Sequence, residues 1–367
     1  MFSRFAKVVC AIALTSASGF LLADTFTQIN LVSDVPGLAV STDPHLKNPW
    51  GVSFAPTSPF WVSNQGSGTS TLYNGTGAIV PLVVTIPPGA HPPMGPTGQV
   101  FNNSSGFLVN NTTAATFIFT TLQGTLAAWN GSVGTTAVQE ASTPGAIYTG
   151  LAQATSAGSP YLYAADSTGH INVFDSNWGN VTGTTFSGKF VDPHPVAGFV
   201  PFNIQLVGSA LYVTYAALTP MGTGLPGGYI DVFDTAGNFL ERFTTGNPLF
   251  APWGLTLAPA TFGSFGNDLL VGNFGNGEIL AYDPTTNAFL GTINGEDGNP
   301  ITNSFLWSLE TRVGGAGDNL DAVYFTAGIN NQNDGLFGEI VATPEPATIL
   351  ETASGIIALA LLRFRRR

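Results

Sequence analysis

Three tryptophans recur in similar surroundings and are the residues best suited to bind a ligand. Trp50 and Trp253 each stand in a Pro-Trp-Gly sequence, and Trp307 opens a related segment. Asn48 and Asn203 lie close to positions of this kind. Aromatic faces beside amide groups suit sugar rings or small amphipathic molecules. The alternative is that these tryptophans pack inside the fold and bind nothing.

A second set of polar residues is placed where predicted strands end. Asn64, Asp166 and Asn273 each end a strand before a turn, and Thr121 and Thr214 take the same place in weaker copies. Side chains at such positions could face a ligand. They could equally bond the backbone amides of the turn that follows. Both interpretations remain open.

Signals for metals and for catalysis are weak. None of the four histidines (His45, His91, His170 and His194) pairs with another at the spacing of zinc ligands. Calcium is more compatible with the acidic loops, because it takes oxygen ligands. The chain has no GxSxG, HExxH or P-loop sequence. The sequence therefore identifies no catalytic residue and no metal ligand, and calcium is the one cofactor it permits.

Six repeats of about fifty residues must position these side chains. The segment NPWGVSFAPTSPFWVSNQGSGTSTLYNG, from Asn48, matches APWGLTLAPATFGSFGNDLLVGNFGNGEILAYDP, from Ala251, in its opening and its apolar strands. Four weaker copies complete the series. At spacings of 47, 52, 53, 51 and 54 residues, the openings are Trp50, Thr97, Thr149, Phe202, Trp253 and Trp307. This period is typical of a four-stranded blade, so we predict an all-β, six-bladed β-propeller over residues 24–343.

The N-terminal strand is predicted to complete the last blade. The final repeat supplies three strands and then stops, whereas Phe26–Val32 belongs to no repeat. Pairing these two segments would close the ring and remove the open sheet edges. A β-sandwich array or a solenoid is the alternative arrangement.

The first strand of each blade would line the central channel, and propeller ligands usually meet the loops at one end of it. We therefore expect ligand contacts at a channel mouth formed by the openings and the second-strand ends. The candidates are Asn48, Trp50, Asn64, Asp166, Asn203, Trp253, Asn273 and Trp307.

The repeat pattern resembles that of NHL-type six-bladed propellers. The segment YLYAADSTGHINVFD, from Tyr161, carries this resemblance. The openings NLVSD (Asn30–Asp34) and DPHLKNPWG (Asp43–Gly51) are similar to those of a family of secreted bacterial propellers with a C-terminal sorting tail. That family has no assigned activity, so the resemblance implies an architecture and an address but no reaction.

Both ends of the chain look like targeting segments. Residues 1–23 combine a short basic start, an apolar stretch and a small residue at Ala23, which predicts a secretory signal peptide rather than a membrane anchor. The only cysteine, Cys10, falls within it. The mature protein would then contain no disulfide and no thiol.

Residues 344–367 are similar to the PEP-CTERM sorting signal. Pro344-Glu345-Pro346 is followed by a short apolar stretch, predicted to be a transmembrane helix, and then by an arginine cluster. The resemblance implies recognition by an exosortase-type membrane peptidase. It also implies a transient anchor in the inner membrane before the protein reaches the cell surface or the medium.

The predicted propeller is strongly acidic. Residues 24–343 contain 20 acidic side chains, and the basic ones are Lys47, Lys189, Arg242 and Arg312. Such a surface repels nucleic acid and anionic lipid, so we expect contact with membranes only through the two ends. It is compatible with cations, neutral glycans or basic partners.

These observations favour an exported, non-catalytic propeller that binds extracellular polysaccharide or a surface protein. The alternative is a calcium-dependent, lactonase-like hydrolase that uses the channel. A purely structural coat protein with a filled channel is the third reading.

Overall fold

The structure, a computed structural model, describes residues 24–87, 95–217, 219, 224–312, 314 and 317–343. The predicted signal peptide, the sorting tail with Pro344, Glu345 and Pro346, and His91 lie outside the described residues. Within them, antiparallel sheets follow one another along the chain as the blades of a propeller. The predicted six-bladed β-propeller is confirmed.

The blades follow the predicted repeats in chain order. Two strands precede them, and these are β1 (Phe26–Ser33) and β2 (Ser41–Thr42). Blade 1 contains β3 (Pro49–Ser53), β4 (Phe60–Asn64), β5 (Thr69–Tyr73) and β6 (Ile79–Thr85). Blade 2 contains β7 (Pro96–Phe101), the small hairpin β8 (Leu108–Val109) and β9 (Thr113–Ala114), then β10 (Phe117–Thr121), β11 (Thr125–Trp129) and β12 (Val138–Ser142). Blade 3 contains β13 (Tyr148–Ser156), β14 (Ser159–Asp166) and β15 (His170–Asp175).

The second half of the ring has the same plan. Blade 4 contains β16 (Val200–Val207), β17 (Ala210–Ala216), β18 (Tyr229–Phe233) and β19 (Phe239–Thr245). Blade 5 contains β20 (Pro252–Leu257), β21 (Leu269–Asn273), β22 (Ile279–Tyr282) and β23 (Phe289–Thr292). Blade 6 contains β24 (Leu306–Thr311), β25 (Ala322–Ala327) and β26 (Leu336–Ala342). The helical segments described are the single turns Gly131–Val133, Gly263–Phe265 and Ile329–Gln332.

Blade 3 departs from the common plan because its sheet has three strands. The segment after β15 takes the outer position without forming a regular strand. Phe174 makes a single bridge with Asn180, and the Val181 amide donates to the Val173 carbonyl over 2.9 Å. This contact covers part of the outer edge of β15.

The N-terminal strand closes the ring as predicted. β1 pairs antiparallel with β26 from Phe26 opposite Ala342 to Ser33 opposite Leu336. Blade 6 thereby gains its fourth strand, and β2 adds a short parallel pairing to its outer edge. The chain ends of the propeller lie side by side, since the Thr343 amide donates to the Thr25 carbonyl over 2.8 Å.

Tight turns between strands rest on local side-chain chemistry. In the turn after β18, the Asp234 carboxylate accepts hydrogen bonds from the amides of Ala236 and Asn238, at 2.9 and 2.8 Å. Gly237 takes a positive φ of 76° there, which glycine adopts without steric cost. The Asx-Gly composition visible in the sequence is therefore what reverses the chain at this point.

The core is divided among the contacts between blades. Clusters of buried apolar side chains fill the spaces between successive blades, for example Phe60, Val62 and Tyr324 between blades 1 and 6. One further cluster lies on the propeller axis and is described below. The first strands contact one another around the ring, in the order β3, β7, β13, β16, β20 and β24, and so enclose the channel.

Candidate functional site

Each repeat opening lies at an irregularity in its innermost strand. The pairing of first and second strands shifts register at the opening in all six blades, for example between Pro49 and Val52 and between Pro252 and Gly254. A bulge of this kind re-aims a side chain relative to the regular pleat. The repeated opening thus marks a conformational feature common to all blades.

The three tryptophans meet on the propeller axis, as the predicted spacing required. The ring centroids of Trp50 and Trp307 are 3.5 Å apart in a stacked arrangement, and Trp253 meets both edge-on at 6.3 and 5.7 Å. Phe274 lies 4.3 Å from Trp307, and Phe202 lies 5.8 Å from it. We call these five residues the aromatic plug. The tryptophans are 1 to 6% exposed, so the plug fills this end of the channel.

Two of the three indole N–H groups of the plug bond to protein, whereas that of Trp50 is buried with no partner among the described residues. The Trp307 indole N–H donates to Asn48 Oδ1 over 3.0 Å, and the Trp253 indole N–H donates to the Thr149 carbonyl over 3.0 Å. Asn203 Nδ2 donates to the Trp253 carbonyl over 2.8 Å. These bonds join different blades, because each runs from one repeat to another.

Small residues after the openings let the innermost strands approach closely. A Cβ added to Gly98 would lie 2.4 Å from the Leu151 amide nitrogen, and one added to Gly254 would lie 2.4 Å from the Trp307 carbonyl oxygen. Real Cβ atoms do not approach backbone this closely. The glycine in Pro-Trp-Gly is therefore required by the narrowness of the ring.

The second predicted set supports the loops that lead into its own blades. Asn273 Oδ1 accepts from the Phe250 amide over 2.9 Å, and Asp166 Oδ1 accepts from the Ile147 amide over 3.0 Å. Asn64 Nδ2 donates to the Thr71 hydroxyl over 2.8 Å. All three side chains are buried, as are Thr121 and Thr214.

The eight predicted binding residues are thus brought to one end of the channel, but the structure gives that end little free surface. Asn48, Asn203, Trp253 and Trp307 use polar groups for bonds within the protein. Their role in binding a ligand remains a prediction. The geometry corresponds to the alternative in which the tryptophans pack inside the fold.

Beyond the plug the channel widens into a cavity of about 250 Å³. Trp253 borders the cavity, so the plug forms its closed end. Asn103, two residues beyond the end of β7, and Leu206, near the end of β16, are exposed at the other end. The channel therefore forms a blind cavity that opens on the face opposite the predicted mouth. All six blades contribute residues to its walls, mainly from their first strands. Blade 5 contributes Trp253 alone.

Some polar side chains of the cavity already have partners. Gln99 accepts from the Ser63 hydroxyl over 2.8 Å and donates to the Trp61 carbonyl. Gln153 donates to Asn102 Oδ1 over 2.8 Å. These amides join neighbouring blades and are not available to a ligand without a rearrangement.

Four other polar side chains remain available. Ser53 is 9% exposed, and its hydroxyl is buried with no hydrogen-bond partner among the described residues. Ser308 and Gln205 also border the cavity. Gln205 Nε2 meets Glu310 Oε1 across the channel at 3.5 Å, a long contact. We call Ser53, Gln205, Ser308 and Glu310 the polar quartet.

Glu310 is the one ionisable residue among those that line the cavity. Burial raises the pKa of its carboxyl group to about 8, and no neighbouring charge contributes. At neutral pH the group is therefore mostly protonated when the cavity is empty. Its position in the sequence gives no signal of this role, because it stands three residues after the opening at Trp307 and no other blade has an acidic residue there.

The basic side chains of the described residues are all engaged elsewhere. Lys47 pairs with Asp34 and with Asp334, the latter at 2.9 Å, and Arg312 pairs with Asp318. Arg242 joins Asp231 and Asp192, each at 2.7 Å, and Lys189 donates to Asn238. None of these cations pairs with Glu310. Among the described residues no group of three or more His, Cys, Asp or Glu side chains could hold a metal ion.

The comparisons with known proteins show relatives over nearly the whole chain. Uncharacterized protein R648 of Acanthamoeba polyphaga mimivirus is 32% identical over 332 residues, covering 86% of this chain and 80% of the relative. Uncharacterized protein L690 of the same virus is 30% identical over 326 residues, covering 85% and 84%. The chain belongs to the family of these mimivirus proteins. No family model matches it, and the bacterial origin implied by the resemblance above stays a prediction for this family member.

The similarity of this chain to solved structures concerns the fold alone. The apo soluble aldose sugar dehydrogenase of Escherichia coli aligns with a TM-score of 0.50 at 12% identity, over 87% of this chain and all of that one. A streptogramin B lyase structure aligns with a TM-score of 0.47 at 12% identity, over 87% and 97%. In the part of the chain that the structure describes, no helix is long and apolar enough to cross a membrane.

Proposed function

We propose that this protein is a non-catalytic binding propeller whose ligand is the terminal unit of an extracellular glycan, held in the channel cavity. The polar quartet carries this proposal. Its hydroxyl, amide and protonated carboxyl groups both donate and accept hydrogen bonds, as sugar hydroxyls do. Trp253, which is 3% exposed, borders the closed end and limits how deep a ligand can enter.

One unsatisfied group beside the cavity, the Ser53 hydroxyl, supports a polar ligand. A buried hydroxyl without a partner costs about 1 to 3 kcal/mol, and the Ser53 hydroxyl is such a group. A ligand hydroxyl that reaches it would recover part of this energy. The sugar proposal rests on these contacts, since the likeness to a sugar dehydrogenase concerns the fold only.

The size of the cavity limits what can enter. Ligand pockets usually measure roughly 300 to 1,000 Å³, and this one measures about 250 Å³. Its blind end favours a single small unit, or the end of a longer chain whose remainder stays outside. Extracellular polysaccharide presents such ends, whereas a folded protein partner would have to insert a narrow projection.

The cellular location of the protein forms part of the same proposal. Residues 1–23 and 344–367 carry the signal-peptide and sorting patterns described above. They support export and delivery to the cell surface through an exosortase-type peptidase. A test is to express the full chain in a host with and without such a peptidase and to compare the mass of the secreted product. Loss of about the last twenty residues only in the host with the peptidase is expected if the tail is a sorting signal.

Binding is tested by isothermal titration of the full chain with a panel of monosaccharides and short glycans. Gln205→Leu should weaken binding about tenfold or more, because it removes two hydrogen-bonding groups from the cavity. Gln139→Leu is the matched control, since Gln139 is exposed on the outer strand of blade 2. Equal affinity of the two variants, or no binding to any glycan, would contradict the proposal.

A calcium-dependent, lactonase-like hydrolase is the second candidate, and Glu310 favours it. Glu310 places a carboxyl group in the channel, with amide and hydroxyl oxygens near it. Calcium usually takes 6 to 8 oxygen ligands, and a single carboxylate makes a weak site. Turnover of a lactone panel that is lost on chelation and in Glu310→Gln would replace the binding proposal by this one. A rise in Tm with calcium but without turnover would indicate a scaffold ion.

A further inference from the structure

Glu310 is a carboxyl group without a positive partner. Burial is the sole contribution to its shifted pKa, and its described contact is the amide of Gln205. Arg312, two residues further along β24, is held by Asp318 and by the Ser58 carbonyl. The protein therefore places an acid in its channel and supplies no cation to neutralise it.

The surroundings of Glu310 on each neighbouring element contain no cation. The flanking strands β3 and β20 and the facing strand β16 carry no charged residue. On β25, Tyr324 lies opposite Glu310 in register, and Glu339 lies opposite Tyr324 on β26. A phenol and a carboxyl group are neutral or negative, so neither supplies a positive charge, and burial raises the pKa of both.

The charge of the whole propeller points to a positive ligand as well. Twenty acidic side chains against four basic ones create a negative potential over residues 24–343. A negative field focused into a narrow cleft raises the local concentration of cations. A small cation that reached the cavity would find the carboxyl group of Glu310 and the polar side chains of Ser53, Gln205 and Ser308 together.

Building on the proposed glycan-binding function, we propose that the bound unit is an amino sugar whose free ammonium group pairs with Glu310. The hydroxyls of the ring are then within the reach of Ser53, Ser308 and Gln205. Acetylation of the amine would remove both the charge and the pairing.

This pairing has a consequence for protons. The empty cavity holds Glu310 protonated at neutral pH, because its pKa is about 8, whereas the ion pair requires the carboxylate. Binding of the ammonium form therefore releases the Glu310 proton to solvent. Affinity rises as pH increases towards 8, and it falls again where the amine loses its own proton.

A lysine side chain of a protein partner could present the same ammonium group. The cavity favours the sugar, since three of its four available polar groups are suited to hydroxyls, and a lysine stem has none. The two sources are separated by the panel used in the test below.

The experiment is isothermal titration of the full chain at pH 6.5 with glucosamine, glucose, N-acetylglucosamine and lysine methylamide. We expect glucosamine to bind at least about tenfold more tightly than the other three. Repeating the titration in two buffers of different ionisation enthalpy should show close to one proton released per glucosamine. Glu310→Gln should abolish both the preference and the proton release, whereas Glu241→Gln, an exposed acid on β19, should preserve them.

Each contrary result has a defined meaning. Equal affinity for glucose and glucosamine would overturn the amino-sugar inference and leave glycan binding intact. Tighter binding of lysine methylamide would overturn it in favour of a basic protein partner. A preference that survives in Glu310→Gln would overturn the assignment to this carboxyl group. If no sugar binds, the proposed function itself fails.

Discussion

The two ends of the channel are built from the same six strands but have opposite properties. At the strand starts, five aromatic rings pack together, and the indole N–H groups of Trp253 and Trp307 bond to other repeats. Three residues further along, Ser53, Gln205 and Glu310 place polar side chains beside a cavity. One end is filled by buried rings that pack the blades together, and the other encloses free volume for a ligand.

The residues at the plug end repeat from blade to blade, whereas those at the cavity end do not. The openings repeat because every blade must bring its first strand close to the axis, which explains the glycine after Trp50, Thr97, Thr149 and Trp253. The third position after each opening shows no repetition. In blade order its residues are Ser53, Val100, Ala152, Gln205, Thr256 and Glu310. In a ring of equivalent blades, a binding site for an asymmetric molecule must come from positions where the blades differ.

The largest expected effect concerns the plug. Trp307→Ala removes a ring that is 1% exposed and stacks on Trp50, so we expect a loss of about 4 kcal/mol in the free energy of unfolding. Denaturant titration measures it, with Phe289→Ala as the control because Phe289 is 46% exposed. A loss below about 1 kcal/mol would mean that the plug is not a structural element, and the contrast between the two ends would disappear.

Forcing two innermost strands apart should reduce the free energy of unfolding by nearly as much. Gly98→Ala places a Cβ 2.4 Å from a backbone nitrogen of the next blade, and overpacking of this severity costs about 3 kcal/mol. Gly183→Ala is the matched control, because nothing lies within 4 Å of its added Cβ. Equal unfolding free energies for these two variants would show that the strands can move apart without loss.

At the cavity end, stability should depend on pH through Glu310. Its pKa is raised from 4.5 to about 8, so the folded state holds this proton more tightly than the unfolded state. The contribution is complete below pH 4.5, falls as pH rises to about 8 and is then constant. Water in the cavity reduces the effect, and we expect a loss on the order of 2 kcal/mol relative to Glu310→Gln.

Unfolding of the wild type and of Glu310→Gln between pH 4 and pH 9 checks this dependence. The difference between the two curves isolates Glu310 from the other groups, among them Asp231, whose pKa burial raises to about 6. Parallel curves over this interval would show that the carboxyl group is well solvated. The amino-sugar inference would then lose its proton release.

The smallest expected effect concerns one bond between blades. The Thr97 hydroxyl donates to the Tyr148 carbonyl over 2.8 Å, and Thr97→Val should reduce the unfolding free energy by about 1 kcal/mol. Thr97→Ser keeps the hydroxyl and should recover most of that loss. If valine and serine behave alike, side-chain volume rather than the hydrogen bond determines stability at this opening.

The sequence was sufficient to predict the fold, because propeller repeats are read from their period. The final repeat was predicted to need Phe26–Val32, and the structure pairs Phe26–Ser33 with β26. The irregular outer edge of blade 3 was not foreseen, since the segment after Asp175 has the polar composition of an ordinary loop. Composition indicates neither a missing strand nor a single bridge.

The candidate site was predicted less well, for a physical reason. The spacing of Trp50, Trp253 and Trp307 placed them together correctly, but spacing does not show whether a ring faces solvent. Glu310 follows Trp307 in the segment LWSLET, and nothing in a single strand marks one of its residues as facing an axial cavity. Comparing the third position of all repeats would have singled out Gln205 and Glu310 as the largest polar exceptions.

The seam between β1 and β26 also determines the order of events during synthesis. The first strand made must wait for the last, because Phe26 pairs with Ala342. At about 5 to 20 residues per second, translation alone separates them by roughly 15 to 65 s. Until then the backbone edge of β1 that pairs with β26 is open, while the side chain of Phe26 already has Phe262 and Phe265 of blade 5 to pack against.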